Sequence, residues 1–174
     1  MKTTHTAYIG VGANLEPARG IPAGLRRLAA SVPIEAFSTF YETEPIGRPE
    51  QPKYYNGVCR VGTGLEPRSL LNEVLHPIEA ALGRKRTDDR YAARPLDLDL
   101  LLWDDAVLDE PGLRLPHPEI LARAFVALLL LELDPRLRLP GHARAMSEET
   151  RGLSREGMTP LPDFTERLRK ELIP

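Results

Sequence analysis

The chain has one cysteine, Cys59, in 174 residues. That excludes an intramolecular disulfide and a thiolate metal cluster, and a reducing cytoplasm is the expected setting. Long apolar runs are missing as well. The longest, Phe125 to Leu131, is far shorter than the ~20 residues a membrane span needs. Met1 to Thr6 is polar and lacks the apolar stretch of a secretory signal. Basic charge is not in excess: 23 Lys and Arg face 25 Asp and Glu, for a net charge of −2. That argues against a dedicated nucleic-acid binder. A soluble monomer with neither membrane nor nucleic-acid partners is expected.

Glycine cradles for phosphate are also absent. No G-x-x-x-x-G-K-[ST] stretch occurs, and Gly10-Val11-Gly12 is followed by Leu15 where a dinucleotide fingerprint needs its third glycine. That segment reads as a strand running into a turn. Any nucleotide has to be held by side chains.

What is present suffices for one domain spanning 1–174, since 42% of the residues are hydrophobic. Ala7 to Gly12 reads as a buried strand, and Ile21, Leu25 and Leu28 repeat at helical spacing. Ile34 to Tyr41 reads as a second strand and Tyr54 to Val61 as a third. Between them Pro45, Gly47, Pro49 and Pro52 enforce a loop. Pro67 to Leu82 predicts a helix kinked at Pro77. A charged loop follows over Arg84 to Arg94, then a strand from Pro95 to Trp103 and a helix from Pro118 to Leu133. A motif-bearing core of about 7–133 thus precedes a polar tail, about 141–174, with a last helix at Asp163 to Leu172. The order β-α-β-β-α-β predicts an α+β, ferredoxin-like sandwich. It would have a four-stranded antiparallel sheet, helices on one face, the other face free, and a C-terminal helical extension.

The chemistry concentrates around Asp97-Leu98-Asp99. Residues two apart on a strand share a face, so these carboxylates sit with α-carbons about 6.5 Å apart. Paired buried carboxylates need neutralising, and Mg²⁺ binds through one or two carboxylates plus phosphate oxygens. An exposed acidic pair at a strand start is the alternative. The loop leading in carries Arg84, Lys85, Arg86, Arg90 and Arg94. Metal-binding acids beside convergent arginines are what phosphoryl transfer demands, whereas a solvated charged loop is the bland explanation. His117, between Pro116 and Pro118, could contact phosphate or simply cap a helix. Tyr54 and Asn56 share a strand face, as a flat heterocycle would need, or as ordinary packing would produce.

Five ordered stretches carry a family resemblance: Tyr8 to Leu15, Tyr41 to Gly47, Gln51 to Asn56, Arg90 to Leu101, and Leu115 to Pro118 with Arg123 and Phe125. Together they resemble the 6-hydroxymethyl-7,8-dihydropterin pyrophosphokinases over roughly residues 7 to 133. The resemblance implies pyrophosphoryl transfer from ATP to the pterin hydroxymethyl group, releasing AMP, in folate biosynthesis. It implies that Asp97 and Asp99 hold two Mg²⁺ ions and that Arg84 and Arg94 stabilise the transferring group. Arg86, Arg90, His117 and Arg123 would contact ATP. Thr43, Pro45, Ile46, Tyr54, Asn56 and Phe125 would form the pterin pocket, with the ring between Tyr54 and Phe125. Loops 43–53 and 83–94 would act as lids. Tyr91-Ala92-Ala93 stands where the family often has Trp-Gly-Pro, and Ala13 where serine is common.

Two other classes compete. Another ferredoxin-like nucleotidyl or phosphoryl transferase would release ADP or pyrophosphate. An RNA-binding ferredoxin-like domain would stack bases on sheet aromatics, but the third strand lacks that signature.

Overall fold

The computed structural model describes residues 4–85, 87–89 and 91–174. Strand β1 (His5–Ala13) runs through the middle of the sheet. Its Ile9 and Val11 point to one face, while Tyr8, Gly10 and Gly12 point to the other. Helix α1 (Pro17–Ser31) buries Ile21, Leu25 and Leu28 against the first face. A side chain at Gly20 would lie 2.6 Å from the backbone oxygen of Pro95. Only glycine therefore lets α1 close on the segment that leads into Asp97.

The expected second strand is two strands, β2 (Ile34–Phe37) and β3 (Tyr41–Thr43), both antiparallel to β4 (Tyr54–Thr63). Backbone donors in the break are met from far along the chain. Thr39 N–H donates to Glu132 and Phe40 N–H to Thr165, each at 2.9 Å. Ser38 Oγ accepts from Val58 N–H, also at 2.9 Å.

The expected helix over 67–82 forms as α2 (Pro67–Ser69), a π-helical stretch (Leu70–Leu75) and α3 (His76–Ala81). His76 N–H reaches back to Leu71 O. Pro77 thus sits in the first turn of α3, behind a widened turn that absorbs its missing donor. Strand β5 (Asp97–Trp103) follows, then a hairpin, β6 (Leu108–Glu110) and β7 (Leu113–Leu115), that the sequence pattern had not separated.

The expected helix over 118–133 breaks at Arg123, whose backbone is extended, into α4 (Glu119–Ala122) and α5 (Ala124–Leu133). The tail adds α6 (Met146–Glu149), β8 (Met158–Pro160) and α7 (Pro162–Leu172).

The sheet order is β5-β1-β4-β3-β8, with β2 also on β4, and every pairing is antiparallel. It has six strands, not the expected four, because one strand is broken in two and the tail contributes another. Helices also cover both faces. Ile9, Leu25, Leu98 and Phe164 belong to one cluster, Tyr8, Val58, Leu101 and Leu130 to the other. Helix α5, apolar almost all round, can only be stable when buried. It covers part of the face expected to be free and leaves the part over Gly10, Gly12 and Asn56 open. No helix among the described residues is long and apolar enough to cross a membrane.

Candidate active site

The open part of that face is a cleft of about 670 Å³, within the usual size of a small-molecule site. Its floor is set by strand register. Asp97 lies opposite Gly12 and Asp99 opposite Gly10. No neighbouring side chain of β1 therefore covers either carboxylate.

Asp97 is clamped. Arg94 Nη1 donates to its Oδ2 at 2.6 Å, and Arg84 Nη1 donates to its Oδ1. Burial alone would raise this carboxyl, but the two guanidiniums outweigh it and hold it below its usual range. Asp99 is the opposite case. Burial, with the charges of Asp97, Glu119 and Glu79, pushes its carboxyl up to about 8. Among the described residues no group donates a hydrogen bond to it. Two hard oxygen donors, one of them short of positive charge, suit a divalent cation such as Mg²⁺. No cluster of three or more ligating side chains exists among the described residues.

Around this floor the structure gathers most of the residues singled out above. Arg84, Arg94, His117 and Arg123 line the cleft, as do Thr43, Ile46, Tyr54, Asn56 and Phe125. Pro45 is buried and does not line it. Arg86 and Arg90 lie outside the described residues. Asn56 Nδ2 donates to Thr43 Oγ1 at 2.7 Å, which fixes the amide's orientation. Burial raises the Tyr54 hydroxyl above its ordinary pKa, keeping it neutral.

The two sequence readings of His117 both hold in part. Its Nδ1 accepts from Glu119 N–H at 3.2 Å, so it caps α4, and its ring still lines the cleft. That bond leaves Nε2 as the protonated nitrogen. Burial lowers the imidazole pKa, so the ring is neutral at physiological pH.

Several residues of the site were given no role from the sequence. Asn14, 1% exposed, donates to Gln51 Oε1 at 3.0 Å and to Pro52 O, and accepts from Arg94 N–H at 2.8 Å. It ties both charged and proline-rich loops to the end of β1. Those loops also meet directly. Arg48 donates to Asp89 at 2.8 Å, Gln51 to Tyr91 O at 2.9 Å, and the Tyr91 ring lies over Gly47. Glu79, from α3, is 2% exposed; its Oε1 accepts from Leu98 N–H at 2.8 Å and from Arg84. A second hollow, beside α7, is lined by charged side chains of that helix alone and converges on nothing.

Residues 8–135 match the model of the 7,8-dihydro-6-hydroxymethylpterin-pyrophosphokinase (HPPK) family. The chain is 41% identical over 159 residues to the Pseudomonas aeruginosa 2-amino-4-hydroxy-6-hydroxymethyldihydropteridine pyrophosphokinase, covering 89% of this chain and 96% of that one. The Haemophilus influenzae protein of the same name is 37% identical over 138 residues, 78% of this chain and 85% of its own. A crystal structure of Plasmodium falciparum HPPK-DHPS superposes with a TM-score of 0.67 over 98% of this chain and 47% of that one. At 13% identity that likeness speaks to fold alone. The chain belongs to the 6-hydroxymethyl-7,8-dihydropterin pyrophosphokinase family, enzymes that transfer pyrophosphate to the pterin alcohol in folate biosynthesis.

Proposed function

We propose that the cleft between β1, β4 and β5 binds ATP and 6-hydroxymethyl-7,8-dihydropterin side by side, with transfer over Asp97 and Asp99. The observation that carries this is the register of β5 on β1. It puts two carboxylates on an open floor beside Arg84 and Arg94, while Tyr54, Asn56 and Phe125 line the same cleft. Asp97 and Asp99 would hold the Mg²⁺, two ions in our reading, which supplies charge neutralisation at the phosphate oxygens when bound.

Asn56, held by Thr43, presents an amide edge to the pterin, and Tyr54 and Phe125 offer their ring faces. Arg84 and Arg94 face the phosphates, where their planar forks match equatorial oxygens. His117 donates from Nε2, and Arg123, with Arg86 and Arg90, adds charge toward ATP. Pro45 shapes the pterin side from behind, as a buried hinge of the loop. The pterin hydroxymethyl oxygen attacks the β-phosphorus, the bond to the α-phosphate oxygen breaks, AMP leaves, and the hydroxyl proton is released. Loops 43–53 and 83–94, joined through Arg48, Gln51 and Tyr91, exclude water from that step.

We read the core order β5-β1-β4 with β2 and β3 beyond as ferredoxin-like, extended by β8. The whole chain, 1–174, is in this reading one pyrophosphokinase unit, a cytoplasmic monomer acting on small molecules rather than nucleic acid. Asp97→Asn and Asp99→Asn each abolish turnover in this account, with circular dichroism unchanged. Near-normal activity in both would overturn the assignment of the acidic pair.

A further inference from the structure

Glu79 is a buried carboxylate that the reaction as described does not use. It lies on α3, whose other inward residue, Ile78, is apolar. The π-helical stretch just before α3 adds one residue to a turn, which rotates the succeeding helix by about 100°. Glu79 ends up 2% exposed beneath β5. A lone carboxylate there would be strongly unfavourable unless compensated, so its partners explain its presence.

Two of its partners lie at the transfer machinery. Leu98, between the two aspartates, turns its N–H away from β1, and Glu79 Oε1 accepts it at 2.8 Å. The same oxygen accepts from Arg84 Nη1, and that nitrogen also donates to Asp97. The Arg84 side chain is 17% exposed, sits on the loop after α3, and is held by the carboxylates of Glu79 and Asp97. A flexible arginine on a loop is poorly placed for catalysis unless something pre-orients it.

We infer that Glu79 is a positioning residue: its carboxylate fixes the Arg84 guanidinium against Asp97 and ties that arginine to the strand carrying both aspartates. Glu79 touches neither substrate. This inference rests on the proposed role of Arg84, and the test separates the two.

Glu79→Gln keeps the shape and an acceptor for Leu98 N–H but removes the charge. Combined with Arg84→Ala it forms a double-mutant cycle. In the wild-type background Glu79→Gln should lower kcat about 10- to 100-fold while KM for ATP changes less than about threefold. With Arg84 already Ala, the same change should cost less than about threefold. Melting temperature supplies a readout independent of turnover. Glu79→Gln should lower it more when Arg84 is present than when Arg84 is Ala, because the charge-assisted contact to Arg84 is then already gone. Equal losses in both backgrounds, or equal melting shifts, would show a merely structural role and overturn the inference. A loss confined to KM for ATP would overturn it too, by making Glu79 a nucleotide contact. If the wild-type enzyme forms no pterin diphosphate, the functional reading fails, and the melting cycle still decides whether Glu79 and Arg84 act together.

Discussion

Removing the charge of Asp99 should stabilise the metal-free protein while destroying its activity. The carboxyl is raised from its ordinary 3.8 to about 8 by burial and by the charges of Asp97, Glu119 and Glu79. The folded state therefore holds a proton that the unfolded chain releases. With a folded pKa above the unfolded one, stability falls as pH rises through the window between about 4 and 8. At about pH 7.5 the full shift corresponds to an upper bound of about 5 kcal/mol. Asp99 is only partly withdrawn from the cleft, and water there leaves about 1–2 kcal/mol. Asparagine, of the same shape, carries no such penalty. In a chelator at about pH 7.5, Asp99→Asn should melt about 2–8 °C above wild type. The gap should shrink toward pH 4 and close when Mg²⁺ and ATP stabilise the wild type. A variant that melts lower at every pH, or a gap that ignores pH, would refute the argument that Asp99 awaits a cation.

Packing gives two further expected outcomes. A side chain at Gly12 would lie 2.7 Å from Asn56 Oδ1, so Gly12→Ala should turn the amide away from Thr43. KM for the pterin should rise about tenfold, the equivalent of one lost hydrogen bond, and an unchanged steady-state KM would count against the pterin edge assigned to Asn56. Phe164 meets Phe40 and Tyr55 edge-on, each at 5.4 Å. Phe164→Ala should cost about 3 kcal/mol in urea unfolding, and a loss below about 1 kcal/mol would mean that the tail is peripheral to the core.

The parts of the site carried by one strand were legible in the sequence. Strict alternation made Asp97 and Asp99 share a face, and Tyr54 and Asn56 share another strand's face, as found. The parts that depend on distant residues were not. The break at Ser38 to Phe40 is stabilised by Glu132 and Thr165, 93 and 125 residues away in sequence, so no local pattern announces it. The extended backbone at Arg123 has neither proline nor glycine to mark it, yet it turns Phe125 into the cleft. The β6–β7 hairpin, turning at Pro111-Gly112, was not separated from the strand before it. Glu79 left a fainter trace, a carboxylate beside Ile78 on the helix stripe. Asn14 sat in a matching stretch whose role needed both loops in place to be seen.

The most direct test is a chromatographic assay of the enzyme with ATP, Mg²⁺ and 6-hydroxymethyl-7,8-dihydropterin. The account predicts AMP and pterin diphosphate in equal amounts, with AMP formation dependent on the pterin. Release of ADP or pyrophosphate instead, or AMP formed without pterin, would contradict it.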